Sequence, residues 1–372
     1  MDSGADRAAG APLPGGDIPF APGGGGRGRR GGGGGREGLF RRTREDSAPW
    51  GGSFRETGRG GGPCPLRGGE GATVRVDLDV RETELPSLGP WDPERVTDLL
   101  APLEESLEDE RPRADWKRLF LGFDLGTTNL VLVALNEEGR PVTAVMESSR
   151  AAVRDGVVVD YWQAIQGMKS CLERLQRRLG RDLPGVGAAA FPPGVGERTA
   201  QVCAHVVEAL GFDCRGLYEE PTAAAEALGV QEGAIVDIGG GTTGISVLRE
   251  GRVVYSADEP TGGTHMTLVL AGGLGLEFDE AETRKRRIAQ EPRLVPLLVP
   301  VLEKMGTIVR DHLVRSGHLG RVPVLVSGGG AVLPGAEGVL SRVVGEPVHL
   351  APHPLLVTPA GIAARLWRER RG

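Results

Sequence analysis

Asp124 ends the apolar run FLGF and is followed by Leu-Gly-Thr-Thr; Asp237 ends AIV and is followed by Ile-Gly-Gly-Gly-Thr-Thr. An acid that closes a strand and opens a glycine turn offers two kinds of contact. Its carboxylate attracts a hydrated cation, and a turn without Cβ atoms lets backbone N–H groups lie against an anion, with positive φ open to it. Magnesium keeps several waters and is usually held by one or two carboxylates together with phosphate oxygens. Two facing acids, with Gly126 and Gly239, Gly240 and Gly241 beside them and hydroxyls on Thr127, Thr128, Thr242 and Thr243, make a donor set for a magnesium-bound triphosphate. One glycine turn alone would be weak ground, and Asp237 alone reads equally as a turn cap. The pair is the signal, because a cap leaves its twin unexplained.

The elements that must position these residues repeat as well. FLGFDLGTTNLVLVAL (120–135) and AIVDIGGGTTGISVLR (234–249) share one plan: apolar strand, acid, glycine turn, two threonines, second apolar strand. Such an echo predicts two related α/β halves with a ligand cleft between them. From Leu119 onward strands and helices alternate. NLVLVALNEEGRPVTAV predicts two strands joined by a turn, and Ile165, Met168, Leu172, Leu175 and Leu179 predict one face of a helix stopped by Gly180. GVGAAAFPPG reads as a buried strand and loop, and Val202, Val206 and Leu210 as the inward face of a helix ended by Gly211. Helical segments are expected near 279–290 and 294–316, and VPVLVSGGGAVLPGAEGVLSRVVG closes the plan with strand, glycine loop and helix. His349 and His353 are four apart, but Pro352 forbids the helix that would bring them together, so no metal site is expected there.

Glycines crowd the beginning of the 372-residue chain, and few large apolar groups accompany them. Residues 1–72 are therefore expected to be a disordered Gly/Arg-rich tail, which could not bury enough surface to offset its ordering entropy. An acidic linker follows over 73–115, and the two halves are expected at 116–230 and 231–372. Within the linker Asp92 suits a cap and Pro93 a first helical position, while Val96, Leu99, Leu100, Leu103 and Leu107 recur at helical spacing. That stripe either packs on its own domain or docks a partner. The net charge of −6 excludes the whole chain as an electrostatic nucleic-acid binder. No apolar run approaches the ~20 residues that span a bilayer, and no secretory leader is recognised. Cys64, Cys171, Cys203 and Cys214 form no C-x-x-C pair, so a cytoplasmic chain without a disulfide frame is expected.

The two turns resemble the phosphate loops of the actin and DnaK-type heat-shock ATPase superfamily. GLYEEPTAAAEALG (216–229) resembles its Glu-Pro-Thr-Ala-Ala-Ala connecting helix, and VLVSGGGAVLPG (324–335) its adenosine loop. Within the superfamily the chain resembles the ethanolamine utilization EutJ family, described as chaperone-like, in VRDGVVVDYW, FPPG, EEPTAAAEALGV, VDIGGGTTGIS and VYSADEPTGGTHMTLVLAG. The likeness runs over about 118–368. It implies an actin-like ATPase fold with two ribonuclease-H-like halves around a nucleotide cleft, and ATP with Mg²⁺ as cofactors. Asp124 and Asp237 would position hydrated Mg²⁺, and Glu220 would orient water. Gly126, Thr127, Thr128 and Gly239 to Thr242 would hold the β- and γ-phosphates, with Gly262 and Gly263 approaching them. Gly328 and Gly329 would meet the adenosine, and Glu282 and Lys285 the ribose and adenine. Glu220 also reads as a surface acid before a helix, and Glu282, three residues after Asp279, as part of a capping box.

The chain departs from the heat-shock pattern in ways that predict slow hydrolysis. Gly244, Val332 and Ala289 stand where the chaperones carry an acid, an adenine-stacking arginine and a serine, and no lysine clearly matches their catalytic one. No peptide-binding β-sandwich is expected after the adenosine loop. The resemblance implies an ATP-binding accessory protein of ethanolamine utilization with weak ATPase activity at most. It would assist folding, protection or assembly of ethanolamine ammonia-lyase or other microcompartment proteins, in the cytoplasm and in association with a bacterial microcompartment. An actin-like, ATP-dependent filament or scaffold is the alternative, and a sugar or acetate kinase a third reading with little room for a substrate domain.

Overall fold

The computed structural model describes residues 91–111, 116–149, 153, 154, 157–180, 183 and 185–371; the Gly/Arg-rich segment, its Cys64 and the linker up to residue 90 lie outside them. In the first half β1 (Leu119–Leu125), β2 (Asn129–Asn136), β3 (Pro141–Ser148), β6 (Val186–Phe191) and β7 (Asp213–Glu219) form a sheet of order β3-β2-β1-β6-β7. A small hairpin, β4 (Val153–Arg154) and β5 (Val157–Val158), stands apart from it. In the second half β8 (Gly233–Ile238), β9 (Thr243–Arg249), β10 (Arg252–Glu259), β11 (Val324–Ser327) and β12 (Val348–Leu350) repeat the order as β10-β9-β8-β11-β12. The internal echo is therefore a whole repeated sheet, with an antiparallel meander on one side of the first strand and parallel strands on the other. Central strands read as unbroken apolar runs because both faces are covered, as β1 and β8 show.

Helix α1 (Pro93–Leu107) starts as read, with the Asp92 carboxylate accepting from the N–H groups of Glu94 and Arg95. Its stripe resolves the choice left by the sequence. Val96, Leu100 and Leu103 are fully buried in a core shared with β2, β3 and residues of the second half such as Ile235 and Leu325, so the apolar face is already covered. The Ser106 hydroxyl accepts from the Ala144 N–H at 2.7 Å. Arg178, on α2 (Tyr161–Leu179) and wholly buried, donates to the Ser106 and Ala144 carbonyls at 2.8 and 2.7 Å and to Glu110 at 2.9 Å. Hydrogen bonds from Arg178 and Arg174 hold the Glu110 carboxyl down at about 2. Gly180 caps α2 in the left-handed conformation. In α3 (Glu197–Ala209) the inward face is turned slightly from the expected one: Cys203, Ala204, Val206 and Val207 are buried, whereas Val202 is only half-buried.

The sequence reading stopped one helix short. After α8 (Ala336–Val344) and β12, α9 (Val357–Arg371) crosses to the first half and packs on β1 and on α4 (Glu220–Leu228). This contact explains the alanines of EPTAAAEAL. A Cβ on Gly361 would run into the Ala223 carbonyl, and one on Gly122 would lie 2.7 Å from the Pro359 oxygen, so the helices and strand meet backbone to backbone. Gly338, in α8, has open space where its Cβ would be. The same substitution should therefore act in opposite directions. Gly361→Ala is expected to lower stability in denaturant unfolding by about 1–3 kcal/mol through overpacking, and Gly338→Ala to raise it by roughly 0.5–1 kcal/mol through helix propensity.

Candidate functional site

A cleft of about 800 Å³ lies between the two sheets. Asp124, Gly126, Thr127, Thr128, Glu220, Asp237, Gly239, Gly240, Thr242, Gly263, Lys285, Gly328 and Gly329 all line it. The β1–β2 and β8–β9 hairpins deliver their turns to it from opposite sides. The two turns touch: a Cβ on Gly240 would collide with the Thr128 hydroxyl. Gly241 is in the same turn, outside the lining. The glycines serve by lacking a side chain rather than by unusual backbone, since neither Gly126 nor Gly239 to Gly241 has positive φ; Gly328 does, at 92°. Its absent Cβ makes room for the Asp237 carboxylate.

Gly263 lines the cleft and Gly262 lies outside the lining. Gly263 and Thr264, at the start of α5 (Gly263–Leu274), donate their N–H groups to the Gly239 and Gly240 carbonyls at 2.9 and 2.8 Å. In a planar trans peptide the next N–H points the opposite way, so those of Gly240 and Gly241 are aimed away from α5. Gly262 sits behind the turn, where a Cβ would be 2.7 Å from the Gly240 oxygen. Thr243 is buried and its hydroxyl donates to the Thr261 carbonyl at 2.6 Å, so of the four turn threonines Thr127, Thr128 and Thr242 face the cleft. Glu282 is no capping-box residue, because α6 (Phe278–Arg286) already begins before Asp279. It stands behind the lining, bound to Lys285 Nζ at 2.7 Å, Arg286 Nε at 3.0 Å and the Thr267 hydroxyl at 2.5 Å. Lys285 also donates to the Gly263 carbonyl at 2.9 Å and so staples α6 to the start of α5.

The acids govern the electrostatics. Burial, and then the facing Asp237, pushes the Asp124 carboxyl from 3.8 up to about 7. Burial raises Asp237 to about 6, against a hydrogen bond from the Thr358 hydroxyl at 3.2 Å. Glu220 opens α4 inside the cleft, and burial with Asp124, Asp237 and Asp258 around it lifts it well above the usual carboxylate range. Residues without a sequence signal also converge here: Thr358 and Asp258, the acidic last turn of α1 with Glu104, Glu105 and Glu108, and apolar surface from Ile288, Leu333 and Leu355, beside Val332 of the adenosine loop. Thr358 lies 121 residues from Asp237, and no local pattern announces that contact. Among the described residues no group of three or more His, Cys, Asp or Glu side chains is placed to hold a metal ion. Side-chain-free turns, hydroxyls, crowded acids and an apolar wall fit a polyanion bearing a cation and an apolar group.

The crowding has a pH signature. A carboxyl that titrates higher folded than unfolded keeps its proton more tightly in the native state, so stability falls as pH rises from the unfolded value through the folded one. In metal-free buffer, denaturant unfolding should show the protein losing stability between about pH 4 and pH 7. Asp124→Asn should flatten that fall and be the more stable form at pH 7. Superimposable profiles would show that Asp124 is not strained.

The family profile described as cell division protein FtsA matches residues 234–361, and that of the MreB/Mbl protein matches 139–271. Ethanolamine utilization protein EutJ of Salmonella typhimurium is 38% identical over 259 residues, covering 69% of this chain and 89% of the relative. That of Escherichia coli K12 is 37% identical over 260 residues, covering 70% and 90%. The crystal structure of EutJ from Carboxydothermus hydrogenoformans superposes with a TM-score of 0.68 at 41% identity, over 73% of this chain and 98% of that one. MreB 5 of Spiroplasma citri bound to AMPPNP shares the fold at a TM-score of 0.53 and 19% identity, over 66% and 95%. With its two matched sheets on the actin-like fold, the chain belongs to the ethanolamine utilization protein EutJ family.

Proposed function

We propose that the cleft binds ATP with Mg²⁺ and that the chain is a nucleotide-dependent, chaperone-like accessory protein of ethanolamine utilization. The observation that carries the nucleotide reading is the meeting of two matched turns, Thr128 against Gly240, beside Asp124 and Asp237. Gly126, Thr127, Thr128 and Gly239 to Thr242 would hold the phosphates, Asp124 and Asp237 the hydrated ion, and Glu220 a water. The glycine loop at 328–329 with Val332, Leu333 and Leu355 offers the surface for adenosine. A bound magnesium ion would neutralise phosphate charge among these acids. The MreB 5 neighbour carries AMPPNP, which agrees with this reading.

Hydrolysis is slow in this account. Phosphoryl transfer is catalysed by positioning and charge stabilisation. Among the described residues Lys285 and Arg286 are the cations of the cleft lining, and both are engaged with Glu282. The clients in this proposal are ethanolamine ammonia-lyase or other microcompartment enzymes, met in the cytoplasm or at a microcompartment. The apolar stripe of α1 is covered, so a client would meet some other surface.

Calorimetry should show Mg–ATP binding that Asp237→Ala weakens roughly tenfold or more, the scale of outer-shell ligands. Absence of binding by the unaltered chain would end the nucleotide reading. Capture of ethanolamine ammonia-lyase that depends on ATP would support the accessory role. Sedimentation induced by Mg–ATP would replace that role with a filament.

A further inference from the structure

Three adjacent antiparallel strands place Asp237 (β8), Gly244 (β9) and Asp258 (β10) in one cross-strand row. Directly paired residues in neighbouring strands project to the same face of the sheet, so both carboxylates rise on the side where the cleft lies, with only a glycine between them. A Cβ built on Gly244 would meet Asp258 Oδ1 at 3.7 Å, an ordinary van der Waals contact, so the aspartate lies close beside the glycine. Asp258 lines the cleft and raises the proton affinity of both Asp237 and Glu220. The matching row of the first sheet is Asp124, Val131 and Met146. The fold thus places no requirement for an acid, or for a central glycine, at this register. The second sheet has both.

We propose that Asp258 is a further ion-positioning carboxylate, which with Asp124 and Asp237 anchors through water the divalent cation of a bound nucleoside triphosphate. Gly244 adds no side chain between Asp237 and Asp258 in that row. The proposal rests on the reading of the cleft as a Mg–ATP site, and it is specific to the cation. Without metal, Asp258 faces the phosphates as a like charge and opposes them. With metal, it helps hold the ion that bridges them.

The test is calorimetric titration of the full chain with ATP in excess Mg²⁺ and with ATP in EDTA. Asp258→Asn should weaken binding about tenfold in Mg²⁺, and leave it equal or tighter in EDTA. Moving the acid across the row, as Asp258→Gly with Gly244→Asp, should restore most of the magnesium enhancement. A merely structural role for Asp258 predicts equal losses under both conditions and no rescue. If Asp237→Asn lowers the magnesium enhancement while Asp258→Asn leaves it unchanged, the cleft reading stands and this assignment fails. If the unaltered chain binds neither form, both fall together.

Discussion

Three carboxylates held in one cleft, where burial first and neighbouring acids second disfavour their charge, are the constraint on which the site depends. Asp124, Asp237 and Glu220 converge from three elements, and each is pushed toward its protonated form. Such an arrangement persists only if the surrounding structure is firm. Firmness comes from two sheets of one order, and from the crossing of α9 onto α4 and β1 at backbone distance. Thr358 near the start of α9 then reaches back to Asp237 in the other half. The same helix that closes the core of the first half thus steadies a carboxylate of the second.

A site strained when empty is relieved by a cation, and a cation among acids invites an anion. The glycine turns supply the walls for that anion. The second turn is held from behind, because the Gly239 and Gly240 carbonyls accept from the first N–H groups of α5. Lys285 and Glu282 keep α6 against α5, behind the turn they support. Residues that the family pattern would assign to ligand contact therefore divide between the cleft and its backing.

Much of this was legible in the sequence because its cause was local. Acid, glycine turn and paired threonines repeat as contiguous text, so both hairpins and the two-half plan could be read directly, as could the caps at Asp92 and Gly180. What was missed depends on distance along the chain. Thr358 and Asp258 join the site through tertiary contact and cross-strand register. The last helix has no clear signal because PHPLLVTPAGIAARLWRER has mixed polarity and three early prolines. The choice for the α1 stripe stayed open in the sequence for a similar reason: an apolar stripe announces burial without saying against what. The glycines of the turns were expected to give close approach and positive φ; the first is seen, with Thr128 against Gly240, and the second is absent at Gly126 and Gly239 to Gly241.

The central claim is that the turns at 126–128 and 239–242 are two walls of one site. Hydrogen–deuterium exchange of the full chain, with and without Mg–ATP, tests it most directly. Exchange should slow at both turns together and with the same dependence on ATP concentration, while the exposed end of α2 near Trp162 stays unchanged. Slowing at one turn alone, or at neither, would contradict the account.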